Sequence, residues 1–336
     1  MENEMISYVN LMENEMMMYR KMNEHKRLLR AVILICAVLF LVFAVNKADQ
    51  PGKIQIQEEE VTIAGIRHDY DFLLIADTHI SLCDDRDSKL LEKAQMRREA
   101  FERESKKNAV RTFHNLITQS VRSQADLTIF AVDITDSAMY ASIDFVQKET
   151  ERLHMPYLYI TGNHDFEYGN EYFSKKAYKK YFPRLKNLTG TAQQYVIHEF
   201  DDLIVAGIND KNNQFDKKAV KALLPYLKGT KPVILVMHVP LQPQYENSAL
   251  EQQADDIWGL SEHGRCRVLL GETACRPNKI TQKLLDAVFE SDSAVAAVFA
   301  GHIHFYNRSM LNDTTVQMVT GAGYYGDAVS IHIRAE

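Results

Sequence analysis

The sequence predicts an α/β protein, and three observations support this fold class. Short apolar and β-branched runs recur along the chain, with the lengths expected of buried strands. Segments with helical periodicity separate many of these runs, as in folds that alternate strands and helices. Several of the runs end in Asp, Asn or His, and the carboxyl ends of strands are where α/β sheets bind ligands.

Length and composition are those of a globular protein with a sizeable core. The chain has 336 residues, 46% of them hydrophobic and 25% charged, which is enough for one large domain or two small ones. A net charge of −6 implies no general affinity for nucleic acid. The cysteines form no CxxC motif, which argues against a zinc finger or a disulfide scaffold. Cys266 and Cys275 are close enough in sequence to pair in an oxidising compartment.

An apolar run near the N-terminus predicts a transmembrane helix over residues 31–46. Residues 31–45 are apolar without a break, and Leu28 and Leu29 extend the run. A helix of about eighteen residues spans ~27 Å, close to the ~30 Å of a bilayer's hydrocarbon core. A cleaved signal peptide and a buried core helix are the alternative interpretations. The polar segment 1–30 is long for the start of a signal peptide, which favours an uncleaved anchor.

The basic residues around this run predict its orientation. Lys47 and Lys53 follow it closely, and five basic residues precede it: Arg20, Lys21, Lys26, Arg27 and Arg30. The positive-inside rule therefore places residues 1–30 in the cytoplasm and the rest of the chain outside. We expect a single-pass protein of the cell membrane, with a linker at 47–52 and an extracytoplasmic domain at 53–336.

Strands and helices alternate in the first half of this domain. Apolar or alternating runs predict strands at 53–57, 61–63, 71–76, 127–132 and 157–161. The segments 88–124 and 140–153 have helical patterns. We interpret the many charges of 88–124 as a solvated helix face.

Hairpins, helices and further strands follow in the second half. The paired runs 195–200 with 203–208, and 309–311 with 315–319, predict two hairpins. The other predicted elements are the helices 216–227 and 278–290 and the strands 233–237, 294–300 and 328–333. The stretch 241–277 has no clear period, and we expect a loop region beside the site.

Five of the predicted strands end in residues that bind metal ions. The seven ligand-type residues at these ends are Asp77, His79, Asp133, Asn163, His238, His302 and His304. Two pairs have i, i+2 spacing, so both members leave the strand end on the same side. Mixed His and carboxylate ligands suit Mn, Fe or Zn better than Ca or Mg. Seven ligands exceed the four of a tetrahedral zinc, which favours two metal ions that share one carboxylate.

The order of these motifs resembles the calcineurin-like metallophosphoesterase family, whose pattern is DxH, GDxxD, GNHD/E, a lone His and GHxH. The matching segments are Asp77-Thr78-His79, Asp133-Ile134-Thr135-Asp136, Gly162-Asn163-His164-Asp165, His238 and Gly301-His302-Ile303-His304. The resemblance covers residues 70–336 and implies two packed mixed β-sheets flanked by helices, a four-layer sandwich with its site at the strand ends. It also implies a phosphoester substrate and two divalent or transition metal ions.

The resemblance further implies a role for each matching residue. One metal would take Asp77, His79, Asp133 and His304. The other would take Asp133, Asn163, His238 and His302, so that Asp133 bridges the two. His164 would face the substrate as the general acid, and Asp165 would orient its imidazole. Asp136 is expected to stabilise the loop around Asp133.

One position departs from the family pattern, because Val132 stands where the family has Gly before the bridging Asp. Glycine allows a close backbone approach there, whereas Val adds a branched side chain near the metal centre. The change removes no ligand, so we expect a shifted pocket or activity.

The leading functional hypothesis is a membrane-anchored, metal-dependent phosphoesterase that hydrolyses a phosphate mono- or diester. The alternative is a catalytically weak metal-binding scaffold or sensor, which Val132 alone favours. A nuclease is the third possibility. The acidic net charge and the lack of an Arg/Lys stripe argue against it, so no nucleic-acid partner is expected.

Overall fold

A computed structural model describes residues 52–168, 175–191, 194–209, 213–245, 248–259, 268–271 and 275–336. The predicted N-terminal segment 1–30, the predicted transmembrane helix 31–46 and most of the linker lie outside these residues. Cys266, one of the two cysteines that could pair in an oxidising compartment, lies outside them as well. Within the described ranges, no helix is both long enough and apolar enough to cross a membrane.

The strands form two mixed sheets. Their bounds are β1 Gln55–Ile63, β2 Tyr70–Ile75, β3 Leu127–Ala131, β4 Tyr157–Ile160, β5 Tyr195–Glu199, β6 Ile204–Ile208, β7 Val233–Val236, β8 Val295–Ala300, β9 Asn307–Met310, β10 Val316–Val319 and β11 Asp327–Ala335. The first sheet has the order β1-β11-β2-β3-β4 and the second β5-β6-β7-β8-β10-β9. In the first, β2, β3 and β4 are parallel, and in the second β6, β7, β8 and β10 are parallel. Each sheet therefore gathers several carboxyl strand ends at one edge.

Helices cover the outer faces of both sheets. Their bounds are α1 Leu91–Ser105, α2 Ala109–Ser123, α3 Tyr140–Thr150, α4 Lys175–Tyr181, α5 Lys186–Thr189, α6 Lys217–Leu227, α7 Ala249–Trp258 and α8 Lys279–Phe289. Short 3₁₀ turns occur at Asp85–Leu90, Phe182–Leu185 and Gly323–Tyr325. Polar N-caps begin several helices, and the Asn108 side chain, for example, accepts the N–H of Arg111.

The core has three apolar layers because the central strands are buried on both faces. Between the sheets, Phe72 of β2 and Ile129 of β3 belong to the same cluster as Ile234 of β7 and Phe299 of β8. Outside the first sheet, alternate residues of the same strands pack against α2 and α3. Outside the second sheet, α6 and α8 supply the partners. The predicted sandwich of two sheets between helices is confirmed, and strands buried on both faces explain the unbroken apolar runs.

Two local predictions are wrong. The stretch 241–277 contains helix α7, whose start carries a capping box in which Ser248 and Glu251 bond each other's backbone. That Ser-x-x-Glu signature was visible in the sequence. The predicted strands 53–57 and 61–63 are one continuous strand, β1, which pairs along its whole length with β11. The run of three glutamates in its middle interrupts the alternating pattern and hid this continuity.

Candidate metal centre

The predicted strand ends of both sheets meet in one cluster. The backbone N–H of His302, after β8, donates to Oδ2 of Asp77, after β2, at 2.8 Å. Nε2 of His238, after β7, lies 2.8 Å from Oδ1 of Asn163, after β4. Asp133, after β3, lies between them, with Oδ2 3.2 Å from Nε2 of His238. Residues from β2, β3, β4, β7 and β8 thus converge at a single point between the two sheets.

Asp77, His79 and His304 form the first group of ligand atoms. Their ligand atoms all lie within 4.8 Å of one another. Oδ1 of Asp77 is 3.5 Å from Nε2 of His304 and 3.9 Å from Nε2 of His79, and the two Nε2 atoms are 3.3 Å apart. This Oδ1 is buried and accepts no hydrogen bond. Three potential ligand atoms therefore face a common volume.

The outer nitrogens of both imidazoles indicate which tautomers face this volume. Nδ1 of His79 lies 3.2 Å from Oδ1 of Asp136, and a carboxylate can only accept, so Nδ1 carries the proton. The Tyr324 hydroxyl gives its one proton to Glu104 at 2.9 Å. Nδ1 of His304, 3.3 Å from the same hydroxyl oxygen, must then donate to it. Both Nε2 atoms are left with bare lone pairs.

This arrangement fits a metal ion. Two lone pairs and a carboxylate oxygen that face one another repel unless a cation lies among them. Burial also lowers the pKa of His79, which keeps the ring neutral as a ligand requires. A donor set of two imidazoles and a carboxylate matches Mn, Fe or Zn. These residues could therefore hold the predicted first metal.

A second group comprises Asp133, His238 and His302, whose ligand atoms also lie within 4.8 Å of one another. Nδ1 of His302 is 2.9 Å from Nε2 of His238, which also faces Asn163. Burial and the neighbouring His238 lower the pKa of His302 to about 3, so its imidazole is neutral near pH 7. Asp133 also forms a group with His79 and His164, and thus lies between the two candidate sites. A bridging carboxylate needs this position, and the bridging role stays a prediction.

The strand ends share an unusual backbone conformation. Asp77, His79, Asp133, His302 and His304 have φ between 46° and 74°, in the left-handed region that non-glycine residues rarely adopt. Such strain persists where the surrounding structure enforces it, and it is concentrated at functional sites. Five of the seven predicted ligands are therefore held in place by the fold at a conformational cost.

Val132 extends this conformation to the position where the family has Gly. Its φ is 92° and its side chain is fully buried. A β-branched residue with positive φ is a backbone outlier. Cγ1 of Val132 also lies 2.9 Å from where a Cβ on Gly162 would stand, so the GNHD glycine has no room for a side chain. The valine thus fits the packing of the site but strains its backbone.

His164 lies at the rim of the cluster, with its side chain 26% exposed. Its Nδ1 is 3.3 Å from Oδ1 of Asp136 and 3.8 Å from Oε2 of Glu167. Burial opposes the charged ring, but the carboxylates of Asp133, Asp136 and Glu167 raise the pKa of His164 to about 9. These acids favour the protonated imidazole.

The prediction that Asp165 orients His164 is wrong. The buried Asp165 carboxylate accepts the N–H groups of Asp133 and Gly162, each at 3.0 Å, and that of Thr135 at 2.9 Å. The hydroxyls of Thr135 and Tyr159 donate to it as well. Asp165 therefore ties the loop after β4 to the loop after β3. Adjacency in sequence misled the prediction, because consecutive side chains in a tight turn point in different directions.

Asp136 does more than stabilise its own loop. Its carboxylate contacts His79 and His164 and receives two bonds from Arg97, at 2.8 and 2.6 Å. Burial works against ionisation, yet these hydrogen bonds hold the pKa of Asp136 well below its usual value. Asp136 therefore hydrogen-bonds His79 and lies within ion-pair distance of His164, whose Nδ1 makes no hydrogen bond within the described part of the chain.

Helix α1 supplies contacts to the site that sequence reasoning missed. Arg97 bonds Asp136, Phe101 stacks on His79 with ring centroids 4.6 Å apart, and Glu104 accepts the Tyr324 hydroxyl. These residues have i, i+4, i+7 spacing and share one helix face. The interpretation of this segment as a solvated face is wrong for that face. The sequence signal for a buried face was Phe101, an aromatic residue that lies on the same helix face as the charged residues Arg97 and Glu104.

The fold and the site together define the class of protein. It is a four-layer α/β sandwich with histidines and carboxylates at its strand ends. The sequence model of calcineurin-like phosphoesterases matches residues 70–306, and the chain belongs to this family. The family inferred from the motif order is confirmed. Comparison with curated protein sequences finds no match.

Comparison with solved structures finds phosphatases of low sequence identity. A dimetal phosphatase from Danio rerio is 13% identical, with a TM-score of 0.50 over 76% of this chain and 88% of that chain. A purple acid phosphatase from yellow lupin (Lupinus luteus) is 12% identical, with a TM-score of 0.45 over 80% of this chain and 46% of that chain. At 13% identity, the likeness to the Danio rerio phosphatase concerns the fold alone.

Proposed function

We propose that this chain is a metal-dependent phosphoesterase that hydrolyses a phosphate mono- or diester. The observation that carries the proposal is the buried Oδ1 of Asp77, which accepts no hydrogen bond and faces two bare imidazole nitrogens, those of His79 and His304. Membership of the calcineurin-like phosphoesterase family supports a hydrolase acting on phosphoesters. The seven strand-end residues would hold two metal ions, with Mn, Fe or Zn as the candidates.

The chemistry expected of two such ions, when bound, is activation of a water and charge neutralisation on the phosphoryl oxygens. The protein positions the ligands for this task. The N–H of His164 donates to Oδ1 of Asp133 at 2.9 Å, which leaves Oδ2 directed at His238. Asp165 holds the N–H of Asp133 from the opposite side. The central carboxylate is thus fixed through both its backbone and its side chain.

His164 is the group we assign to proton donation. Its Nδ1 faces the carboxylates of Asp136 and Glu167, so Nε2 is the nitrogen that can serve the leaving oxygen. An alkoxide is a poor leaving group until it is protonated, and a positioned imidazole supplies that proton. Asp136 and Glu167, rather than Asp165, are the carboxylates that face this ring.

The test is metal-dependent hydrolysis by the full-length chain, with a phosphomonoester and a phosphodiester, each in Mn²⁺, Zn²⁺ or Fe²⁺. We expect chelation to abolish turnover and metal to restore it. Asp133→Asn should remove most of the activity and lower the metal content measured by elemental analysis. Asp144→Asn, an exposed acid on α3, is the control and should change neither. Full metal occupancy and normal turnover in Asp133→Asn would refute the central role of this carboxylate.

A second candidate is a metal-binding scaffold or sensor with weak catalysis. Strained Val132, next to Asp133, is the observation that favours it. The two candidates differ in turnover: a scaffold would bind metal with the same ligands but hydrolyse none of the esters tested.

We also propose that residues 31–46 anchor the protein in the cell membrane, with the phosphoesterase domain outside the cytoplasm. The apolar run and the basic residues before it support this topology. The substrate would then be an extracytoplasmic phosphoester.

A further inference from the structure

A cavity of about 250 Å³ lies directly beside His164. Helix α1 and the 3₁₀ turn before it form one wall, and the loops that follow β2, β3 and β4 form the others. One ligand-type nitrogen of His164 lies within 4.8 Å of the ligand atoms of His79 and Asp133. The His164 ring therefore separates this cavity, which we call the α1 pocket, from the metal cluster.

The position of His164 determines what the α1 pocket can receive. Under the proposed phosphoesterase function, on which this inference rests, the phosphoryl group lies at the metal cluster. The leaving oxygen must come within hydrogen-bond reach of the general acid. The organic group bonded to that oxygen then extends past His164, into the space that His164 borders on its other side.

The apolar part of the wall indicates the chemistry of that group. Ala94 and Met139 are buried, and half-buried Leu90 lies beside them. The hydroxyl of Ser81 donates to the carbonyl of Ala94 at 3.2 Å, and that of Ser137 to the carbonyl of Glu167 at 2.7 Å. Because both wall hydroxyls are already bonded to backbone, the surface offered to a ligand is mainly carbon.

The charged side chains of the wall carry both signs. Arg97 is paired with Asp136, and Lys93 on α1 is accompanied by Glu167 on the loop after β4. The volume of the α1 pocket, about 250 Å³, is below the ~300–1,000 Å³ of typical small-molecule pockets, so the group that it receives must be compact.

We propose that the α1 pocket is the leaving-group subsite and selects phosphate esters of compact, largely apolar alcohols of about one ring. The subsite makes α1 a determinant of specificity. Ala94 of α1 and Leu90, in the 3₁₀ turn just before α1, are the wall residues whose size the test changes.

The test narrows and widens the α1 pocket in the full-length, metal-loaded protein. Ala94→Phe fills it, and Met96→Phe, on the exposed side of the same helix, is the matched control. Phenyl phosphate carries one ring and methyl phosphate carries none. We expect kcat/KM of Ala94→Phe to fall about 10- to 100-fold for phenyl phosphate, the range for a poorly fitting apolar group. Turnover of methyl phosphate and inhibition by inorganic phosphate should stay near wild type, and Met96→Phe should match wild type throughout.

Leu90→Ala provides the opposite change and decides the matter if Ala94→Phe does not fold. It should raise the ratio of kcat/KM for naphthyl phosphate over phenyl phosphate several-fold. An equal loss on phenyl and methyl phosphate in a folded Ala94→Phe protein, or an unchanged naphthyl-to-phenyl ratio in Leu90→Ala, would overturn the subsite while leaving the phosphoesterase function intact. Absence of metal-dependent hydrolysis of every ester by the wild type would overturn both.

Discussion

The Tyr324 hydroxyl oxygen lies 3.3 Å from Nδ1 of His304, on the side of the ring away from the metal cluster. Tyr324 is buried and gives its own proton to Glu104, so it accepts the His304 proton and fixes the ring's tautomer. Outer partners of this kind orient a metal-binding histidine and increase its basicity. Tyr324 is therefore a positioning residue for the first metal.

Tyr324→Phe should weaken metal binding about 10- to 100-fold, the usual effect of removing an outer partner of a ligand. The chain's only tryptophan, Trp258, reports on the site, because its ring centroid is 5.3 Å from that of His304. Titration of metal into the apo protein, followed by Trp258 fluorescence, measures the affinity without reference to activity.

Tyr325→Phe is the matched control for this prediction. Tyr325 also donates to Glu104, at 2.7 Å, and its hydroxyl makes no bond to His304. Its removal should leave metal affinity near the wild-type value. If metal binding were equally weaker in both variants, the effect would come from a general loss of stability around Glu104. That result would contradict a specific role for Tyr324.

The inner residues of this site could be predicted from sequence, whereas the outer ones could not. Asp77, Asp133 and His238 each follow a short buried run, so strand prediction alone places each of them at the carboxyl end of a strand. Glu104 and Tyr324 are 220 positions apart and meet only because β11 inserts between β1 and β2. No local pattern encodes that insertion.

Side-chain direction was the other limit of sequence reasoning. Asp165 is next to His164 in the chain, yet its carboxylate points to the backbone of the loop after β3. The residues that face His164 are Asp136 and Glu167, from two different loops. Backbone turns at strand ends decide such directions, and the sequence specifies those turns only through the whole fold.

His164→Ala should lose about 10²–10⁴-fold in kcat on alkyl phosphoesters, the range expected when a general acid is removed. The loss on a nitrophenyl ester should be clearly smaller, because a nitrophenolate leaves without protonation. Metal content, measured on the same samples, should be unchanged.

The metal content of His164→Ala also distinguishes a general acid from a metal ligand. His164 forms a group of potential ligands with His79 and Asp133. Metal loss in His164→Ala would therefore indicate a ligand. Equal losses on the two kinds of ester, at full metal occupancy, would indicate a residue that positions phosphate.

The membrane topology is testable with reporter fusions. A reporter at residue 20 should be cytoplasmic and one at the C-terminus extracytoplasmic, because basic residues before 31–46 are retained inside. Replacement of the five preceding Lys and Arg residues by Gln should weaken or reverse this orientation. A cytoplasmic C-terminal reporter in the wild type would refute both the extracytoplasmic domain and an oxidised Cys266–Cys275 pair.

Val132 allows a thermodynamic test of the strained strand end. Its positive φ costs a residue with a Cβ about 1–2 kcal/mol, and glycine escapes that cost. A protein with alanine inside a helix or strand normally has a free energy of unfolding about 0.5–1 kcal/mol higher than one with glycine there, because glycine loses more backbone entropy on folding. At position 132 the strain is the larger of the two effects. Val132→Gly should therefore unfold at an equal or higher denaturant concentration than Val132→Ala, the reverse of the usual order.

Ala131 is the control for this comparison. It is buried at the end of β3, one residue earlier, and has no positive φ. Ala131→Gly should show the ordinary glycine penalty of about 0.5–1 kcal/mol. If Val132→Ala were clearly more stable than Val132→Gly, the backbone at Val132 would bear no strain, and its departure from the family glycine would have no energetic cost.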